Sequence, residues 1–336
     1  MREIEIKQNE AGQRFDKFLA KYMNLAPKSF FYKMLRKKNI TLNKKKADGS
    51  EILELGDKVI LFLSDETIEK FSELKIKKIQ SNLNVLYEDS NVLLINKPVN
   101  MLSQKAKEDD ISMVEHVISY MLETKQMKEE ELRSFKPSVC NRLDRNTTGI
   151  LVAGKTLIGL QSLSKAFKER SIKKYYLCVV LGELKKQEFI EGFLYKDEKT
   201  NQVTITREQI NDSVPIMTEY TPLSSNGSLT LLKVDLITGK AHQIRAHLGS
   251  IGHPILGDNK YGDSLTNREY KAKYKVYNQL LHSYQLVMPD FDGELKNLSR
   301  QSFEAPLPFN FENLLIKEKL YKKEVNIHGH LEFERA

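Results

Sequence analysis

Apolar residues recur at helical spacing from the start of the chain. Phe15, Phe18, Leu19 and Tyr22 share one face of a first helix over residues 14–22. Pro27 opens a second helix, with Phe31, Met34 and Leu35 on one side and Lys33, Arg36 and Lys37 on the other. The spacing then changes. Ile40-Thr41-Leu42 reads as a short strand, Asn43-Lys44 and Leu55-Gly56-Asp57 as turns, and Val59-Ile60-Leu61-Phe62 as a second strand. Residues 64–82 are polar, carry no long apolar run and read as a linker. Strand-like alternation resumes over 85–95, a helix is predicted over 113–122, and a charged loop covers 123–135. The run Ile150-Leu151-Val152-Ala153 is a strand. A basic amphipathic helix follows, with Leu160, Leu163 and Phe167 inward and Lys165, Lys168 and Arg170 outward. Residues 176–180, 203–206 and 229–236 give further strands, and Ile244, Leu248 and Ile251 the apolar face of a helix that begins near Arg245. Alternating β-α-β units are absent, so the pattern predicts an α+β fold with a mostly antiparallel sheet flanked by helices, not a doubly wound one. It divides the chain into a small unit over 1–63, a linker over 64–82, a large unit over 83–315 and a charged tail over 316–336.

Composition supports this division. A chain of 336 residues with 40% hydrophobic content exceeds one average core and suggests a large domain beside a small one. The N-terminus has no apolar signal region, and no apolar run approaches the ~18 residues a membrane span needs. Two cysteines, Cys140 and Cys178, form no C-x-x-C and fit a reducing cytoplasm. Charge changes the picture more. Residues 1–62 hold fourteen Lys and Arg against eight acids, which accounts for six of the net +8 charges, and no acid stands between Asp16 and Asp48. Arg14, Lys28, Lys33, Arg36, Lys37, Lys44, Lys45 and Lys46 form a basic patch on a small unit, the electrostatic footprint of a phosphate backbone.

Candidate chemistry concentrates in Asn141-Arg142-Leu143-Asp144-Arg145-Asn146-Thr147-Thr148-Gly149. Asp144 stands between two guanidiniums with no second acid nearby. Flanking positive charge favours the ionised form of a carboxylate. A lone anionic carboxylate suits a nucleophile or a base; a glycosidase pair or a metal cage needs several acids. Three rival motifs fare worse. Gly149-Ile150-Leu151-Val152-Ala153-Gly154-Lys155-Thr156 matches the P-loop string G-x-x-x-x-G-K-T, but its middle is apolar and β-branched, which suits a strand and not a phosphate-cradling loop. His242 and His247 are five residues apart and fall on different helix faces, and His328 and His330 alone make no site, so no metal is expected. Cys140 lacks an adjacent His to activate it and reads as core.

Four ordered blocks give the lone Asp a context. The segment around Asp144 resembles the R-L-D-x-x-T-[ST]-G-[IL] motif of the RluA-type pseudouridine synthases. Thr238-Gly239-Lys240-Ala241-His242-Gln243-Ile244-Arg245-Ala246-His247-Leu248, continuing through Gly252-His253-Pro254-Ile255-Leu256-Gly257-Asp258 to Tyr261-Gly262, resembles a second block of that family. Lys174-Tyr175-Tyr176-Leu177-Cys178-Val179-Val180-Leu181-Gly182 is similar to its K-x-Y-x-x-x-V-x-G strand. Tyr87-Glu88-Asp89 with Leu93-Leu94-Ile95-Asn96-Lys97-Pro98 is similar to its opening hairpin. The small unit resembles the S-four-type (alpha-L) RNA-binding domain, with Arg14 and Asp16 at its Arg-x-Asp opening and Gly56-Asp57 at its late turn.

The resemblance implies an RNA pseudouridine synthase acting on structured RNA, most of all large-subunit (23S) ribosomal RNA, with transfer RNA as a second possible substrate. It implies a cytoplasmic monomer that needs no cofactor and no metal and has no membrane partner. Asp144 becomes the catalytic carboxylate, by attack on the anomeric carbon or by removal of a sugar proton. Arg245 becomes its ion-pair partner, and Tyr176 either a stacking platform for the base or a core strand residue. Arg142, His242 and Gln243 join the basic patch as RNA-facing residues. The rival on the same fold is an inactive RNA-binding chaperone, against which the retention of Asp144, Tyr176 and Arg245 argues. Departures from the family pattern are Asn141 for His, Thr148 for Ser, Lys240-Ala241 for Arg-Thr, and Asn100 for Gly, where Asn tolerates positive φ. Lys38 and Asn39 stand where relatives of the small unit carry Gly, which predicts a looser turn.

Overall fold

The computed structural model describes residues 1–74, 77, 79–197, 200, 202–210 and 212–320. The N-terminal unit contains β1 (Arg2–Glu5), α1 (Phe15–Tyr22), α2 (Lys28–Arg36), β2 (Ile40–Leu42), β3 (Lys58–Leu61) and α3 (Asp65–Lys70). Its strands pair antiparallel in the order β1-β3-β2. Phe15, Phe18 and Leu19 of α1 are fully buried against Phe31 and Leu35 of α2 and against β3. Each such side chain contributes about 1.5–3 kcal/mol of burial, so the helical stripe read along residues 14–22 is what closes this small core. Asn43 and Lys44 both take positive φ in the two-residue connection after β2, where Leu42 and Lys45 bond each other in both directions. The turn after α2 is not loosened by the missing Gly. Lys38 itself adopts φ 60°, and the amides of Lys38 and Asn39 donate to Leu35 and Met34 carbonyls in the manner of a Schellman cap. The segment expected as linker also begins with structure. Ser64 caps α3, and Ile68 and Phe71 complete the small core, because two apolar residues one turn apart suffice to seat a short polar helix.

The large unit begins with β4 (Val85–Glu88), β5 (Val92–Lys97), α4 (Met113–Glu123), β6 (Ser138–Val139), β7 (Thr148–Gly154), α5 (Leu157–Lys168) and β8 (Lys173–Leu181). It continues with β9 (Glu188–Asp197), β10 (Gln202–Thr206), β11 (Val214–Ser225), β12 (Leu229–Asp235) and α6 (Gln243–Ser250). It ends with α7 (Ser264–Tyr274), β13 (Leu281–Val287), β14 (Ser302–Glu304) and α8 (Phe309–Lys317). One large sheet runs β10-β9-β11-β12-β8-β13-β7-β5-β4, with β14 and β6 attached beside it. All its pairings are antiparallel except β13 with β7. The charged loop over 123–135 contains a 3-10 turn, Glu129–Arg133, that buries Leu132. The tail begins later than expected: α8 covers Lys317 and Leu320 is buried in the core, while 321–336 lie outside the described residues.

The parallel seam between β7 and β13 constrains the sequence most tightly. Every residue of β7 is buried. Gly149 sits at φ +103°, and a Cβ there would lie 2.2 Å from the Ser283 carbonyl oxygen. The P-loop string is therefore strand, and its Lys155 is buried on Glu88 (Nζ–Oε1 2.7 Å) rather than free for phosphate. Thr148, in place of the family's Ser, shares a hydrogen bond with His282 Nδ1 at 2.8 Å, and His282 Nε2 reaches the Ala305 carbonyl at 3.1 Å. Full burial pushes His282 down to about 4. With the folded value below the unfolded ~6.5, the neutral ring stabilises the fold above that pH, and this stability is lost as pH falls toward 4. Urea midpoints should therefore drop between about pH 6.5 and 4, and His282→Gln, which cannot gain the proton, should show a smaller drop. An equal drop in both proteins would assign the acid sensitivity elsewhere.

Candidate active site

The loop before β7 is pinned on both sides of Asp144. Asn141 reaches across to β7, accepting from the Val152 amide at 2.8 Å and donating to the Ile150 carbonyl at 3.3 Å. Its amide does work that needs both a donor and an acceptor. Ser103 Oγ accepts from the Leu143 amide at 3.0 Å and donates to the Leu143 carbonyl at 2.9 Å. On the other side, the ammonium of Lys97, wholly buried, donates to the carbonyls of Arg145, Pro98 and Met101 at 2.8–3.0 Å. Burial lowers Lys97 to about 7, against the pull of the nearby Asp144 charge. The turn that carries these carbonyls includes Asn100 at φ 62°, the conformation that Asn tolerates in place of Gly.

Arg245 joins the first block to the second. It lies in the first turn of α6 and is 7% exposed. Its Nη1 donates to Asp144 Oδ2 at 2.8 Å, while Nε and Nη2 grip both oxygens of Asp258 at 2.7 and 2.9 Å. Burial opposes the charged guanidinium, but the bonds and charge of Asp258, and then of Asp144, outweigh it and raise its pKa further. Asp258 is fully buried; burial raises its pKa, and Arg245 together with the Lys260 and Tyr261 amides lowers it overall. The ring of Tyr261 lies under the guanidinium, 5.2 Å from centroid to Cζ. Only Asp144 Oδ2 is engaged; Oδ1 has no hydrogen-bond donor among the described residues.

Asp144 opens into a cleft of about 940 Å³. Among the described residues nine Lys and Arg line it, and Asp144 is its only acid. Tyr176 forms part of the wall from β8, buried to 6%, and burial pushes its hydroxyl up to about 12, with the Asp144 charge adding to the effect. His242 stands at the helix entrance in a left-handed conformation (φ 55°), its Nδ1 on the Tyr261 hydroxyl at 2.9 Å and its Nε2 4.0 Å from Asp144 Oδ2. Burial lowers its pKa, Asp144 opposes, and Arg245 and Lys260 add to the lowering. His247 points elsewhere, to Thr218 Oγ1 at 3.0 Å, so the two histidines do not converge on a metal. Cys140 reaches the cleft wall, but burial pushes its thiol up to about 12, so it is not a nucleophile.

Expected residues thus divide. Asp144, Tyr176, Arg245, Arg142 and His242 come together around the cleft. Gln243 also lines the cleft, but its side chain is taken up by partners within the protein. Its amide is 2% exposed and accepts from Thr238 Oγ1 and the Lys240 amide, while donating to Met217 O and Thr218 Oγ1. It braces the loop that presents Lys240 and Ala241. Lys28, Lys33, Arg36, Lys37, Lys44, Lys45 and Lys46 are exposed on the small unit, and none has an acidic partner among the described residues. Arg14 differs, since both of its bonds go to Asp16 at 3.0 Å. Asp258, Lys97 and Ser103 were not singled out, although Asp258 and Lys97 lie inside two of the quoted blocks.

The chain is similar to known proteins in sequence and fold. The sequence profile of the family described as RNA pseudouridylate synthase matches residues 91–250. The chain is 31% identical to the ribosomal large subunit pseudouridine synthase C of Escherichia coli over 293 residues, which cover 84% of this chain and 87% of that protein. It is 29% identical to the protein of the same name from Vibrio cholerae over 329 residues, 94% and 96% of the two chains. In fold it is similar to human RNA pseudouridylate synthase domain containing 4, with a TM-score of 0.56 and 22% identity over 70% of this chain and 93% of that one. The chain belongs to the RNA pseudouridylate synthase family and is an RNA pseudouridine synthase.

Asp258 generates the prediction here. Removing one partner of a buried ion pair costs about 3–5 kcal/mol, so Asp258→Asn should lower the unfolding free energy in urea by that order. A loss within a few tenths of a kcal/mol would show that Asp258 does not anchor Arg245.

Proposed function

We propose that the enzyme isomerises uridine in large-subunit ribosomal RNA and that Asp144 carries the chemistry. The observation behind this reading is one carboxylate, oriented by Arg245 at 2.8 Å, in a cleft where it stands among nine Lys and Arg. The relatives named above are ribosomal large subunit synthases, which favours the same substrate class here.

The reaction breaks the bond from C1′ of the ribose to N1 of uracil and forms one from C1′ to C5. The proton on C5 leaves, N1 gains one, and the product is an isomer, so the balance requires no oxidant and no second substrate. The cation-lined cleft takes up the RNA backbone, and the target base leaves its stack to reach Asp144, at a cost of about a few kcal/mol. Lys and Arg contacts to phosphate offset that cost. Asp144 then either attacks C1′ to release uracil as a covalent ribosyl ester forms, or removes the C2′ proton to leave a glycal; both use an ionised carboxylate with a free oxygen. Arg245 holds Oδ2 and leaves Oδ1 for the sugar. Tyr176 supplies a flat apolar wall on which the detached uracil can turn without escaping.

Asp144→Asn keeps the shape and removes the anion. It should abolish pseudouridine formation in ribosomal RNA, mapped in cells that carry only this variant, while the purified protein binds RNA as the parent does. Turnover at a tenth of the parent rate would remove Asp144 from the chemistry, and absence of any pseudouridine dependent on the parent enzyme would favour the inactive chaperone.

The small unit is read as the S-four-type RNA-binding domain, with the acid-free face of α2 and the turn after β2 on phosphate. Replacing Lys33, Arg36 and Lys37 together by Gln should flatten the slope of log affinity against log salt by about 2–3. A parental slope would place RNA on another face.

A further inference from the structure

Lys174 has a feature that the chemistry above does not use. It is 9% exposed, on β8, yet it lines the cleft, and its ammonium has no hydrogen bond and no ion pair within the described residues. The stem is buried in the wall, so the ammonium can only present itself to the cleft. The nearest acid it senses is Asp235, with which it makes no ion pair; beside it lies Arg170, whose charge repels it. Arg170 also lines the cleft, exposed just past the end of α5, and is fixed there by a left-handed backbone at φ 61°. The Lys174 backbone is fixed in the sheet: its carbonyl accepts from the Leu236 amide at 3.0 Å, and its strand pairs with β13 at Leu286. Two neighbouring like charges on one cleft wall, neither paired with an acid among the described residues, suit an anion.

Position identifies the anion. Lys174 and Tyr176 alternate with the residue between them, so both project from the same face of β8, about 6.7 Å apart along the strand. If Tyr176 faces the reacting uracil, Lys174 faces a group about one nucleotide away along the same RNA. We propose that Lys174 and Arg170 form a subsite for a single backbone phosphodiester next to the extruded nucleotide. The subsite rests on the reading of the cleft as the RNA site. Its function is to fix the register of the strand: the target nucleotide is out of its helix, so pairing no longer positions it, and a phosphate gripped by two cations does.

The test uses the full-length enzyme and a short oligouridylate. A contact to a single-stranded phosphate contributes about 0.7 to the slope of log affinity against log salt. Lys174→Met keeps the buried stem and removes the charge, and should flatten the slope by that amount, with Lys174→Arg restoring it. Arg170→Asn tolerates the left-handed backbone and tests the second cation even if the Met variant fails to fold. It should flatten the slope likewise, whereas Arg300→Gln, on the surface ion pair with Asp290, should not. Oligouridylates with one methylphosphonate at successive positions locate the contact. One position should weaken binding to the parent and cause no further loss with Lys174→Met. A parental slope in both Arg170→Asn and Lys174→Met, or methylphosphonate losses that add fully to the Met loss at every position, would overturn the subsite. Conversion of uridine in ribosomal RNA is measured on the same preparations. A parent that binds with the expected slopes but converts nothing would sink the catalytic reading and leave the phosphate contact standing.

Discussion

Asp144, Arg245 and Asp258 form a line of alternating charge, and the site depends on it. A guanidinium this deeply buried is unfavourable by itself; it is stable here because Asp258, also buried, takes two of its nitrogens in a planar fork. That leaves one edge of Arg245 for the Asp144 carboxylate, at a fixed distance and direction. A lysine would supply the charge without the direction. The inner acid neutralises the cation, and the outer acid is oriented without being buried, so it stays open to the cleft. Asp144 and Asp258 are chemically identical; their depth alone separates the carboxylate sealed in the core from the one open to the cleft.

The backbone on either side of Asp144 is fixed by other means. Lys97 draws three carbonyls inward, Ser103 closes on Leu143, and Asn141 stands in for a strand partner beside β7. These anchors end on β5 and β7, whose seam with β13 admits no side chain at Gly149. A catalytic group on a loop can thus be held as firmly as one on a strand. The tightness of packing behind the loop, rather than the loop itself, sets the position of the carboxylate.

What could be read in advance, and what could not, follows from this depth. Asp144, Arg245 and Tyr176 stand in short motifs whose spacing survives any detail of packing, and the buried stripes of α1, α2 and β7 have clear periods. Gln243, a polar residue beside two motif residues, looks exposed in the sequence; only the structure shows the four partners of its amide. The same ambiguity hid Lys97 and Asp258, charged residues whose types suggest surface but whose partners are backbone carbonyls and a buried Arg. β13 went unread because His282, Ser283 and Gln285 break its apolar pattern, although it is the strand that joins the two halves of the sheet. His282 finds its partners outside its own strand, at Thr148 and Ala305, and a linear pattern does not record those partners.

The small unit is not merely tethered to the large one. Ser134 donates to the carboxylate of Glu10, which is buried, and Asn9 accepts from the Leu157 amide at 3.1 Å. Leu157 is the first residue of α5, where backbone amides have no partner within the helix; Thr156 Oγ1 takes the Gly159 amide and Asn9 that of Leu157. The small unit therefore caps, through Asn9, the helix whose far end carries Lys168 into the cleft. The basic face of α2 and the cleft are then fixed to one frame rather than two. Because a buried carboxylate must keep its hydrogen bonds to remain buried, any swing of the small unit would strip Glu10 of the Ser134 hydroxyl. That constraint favours a fixed distance between the basic face and Asp144.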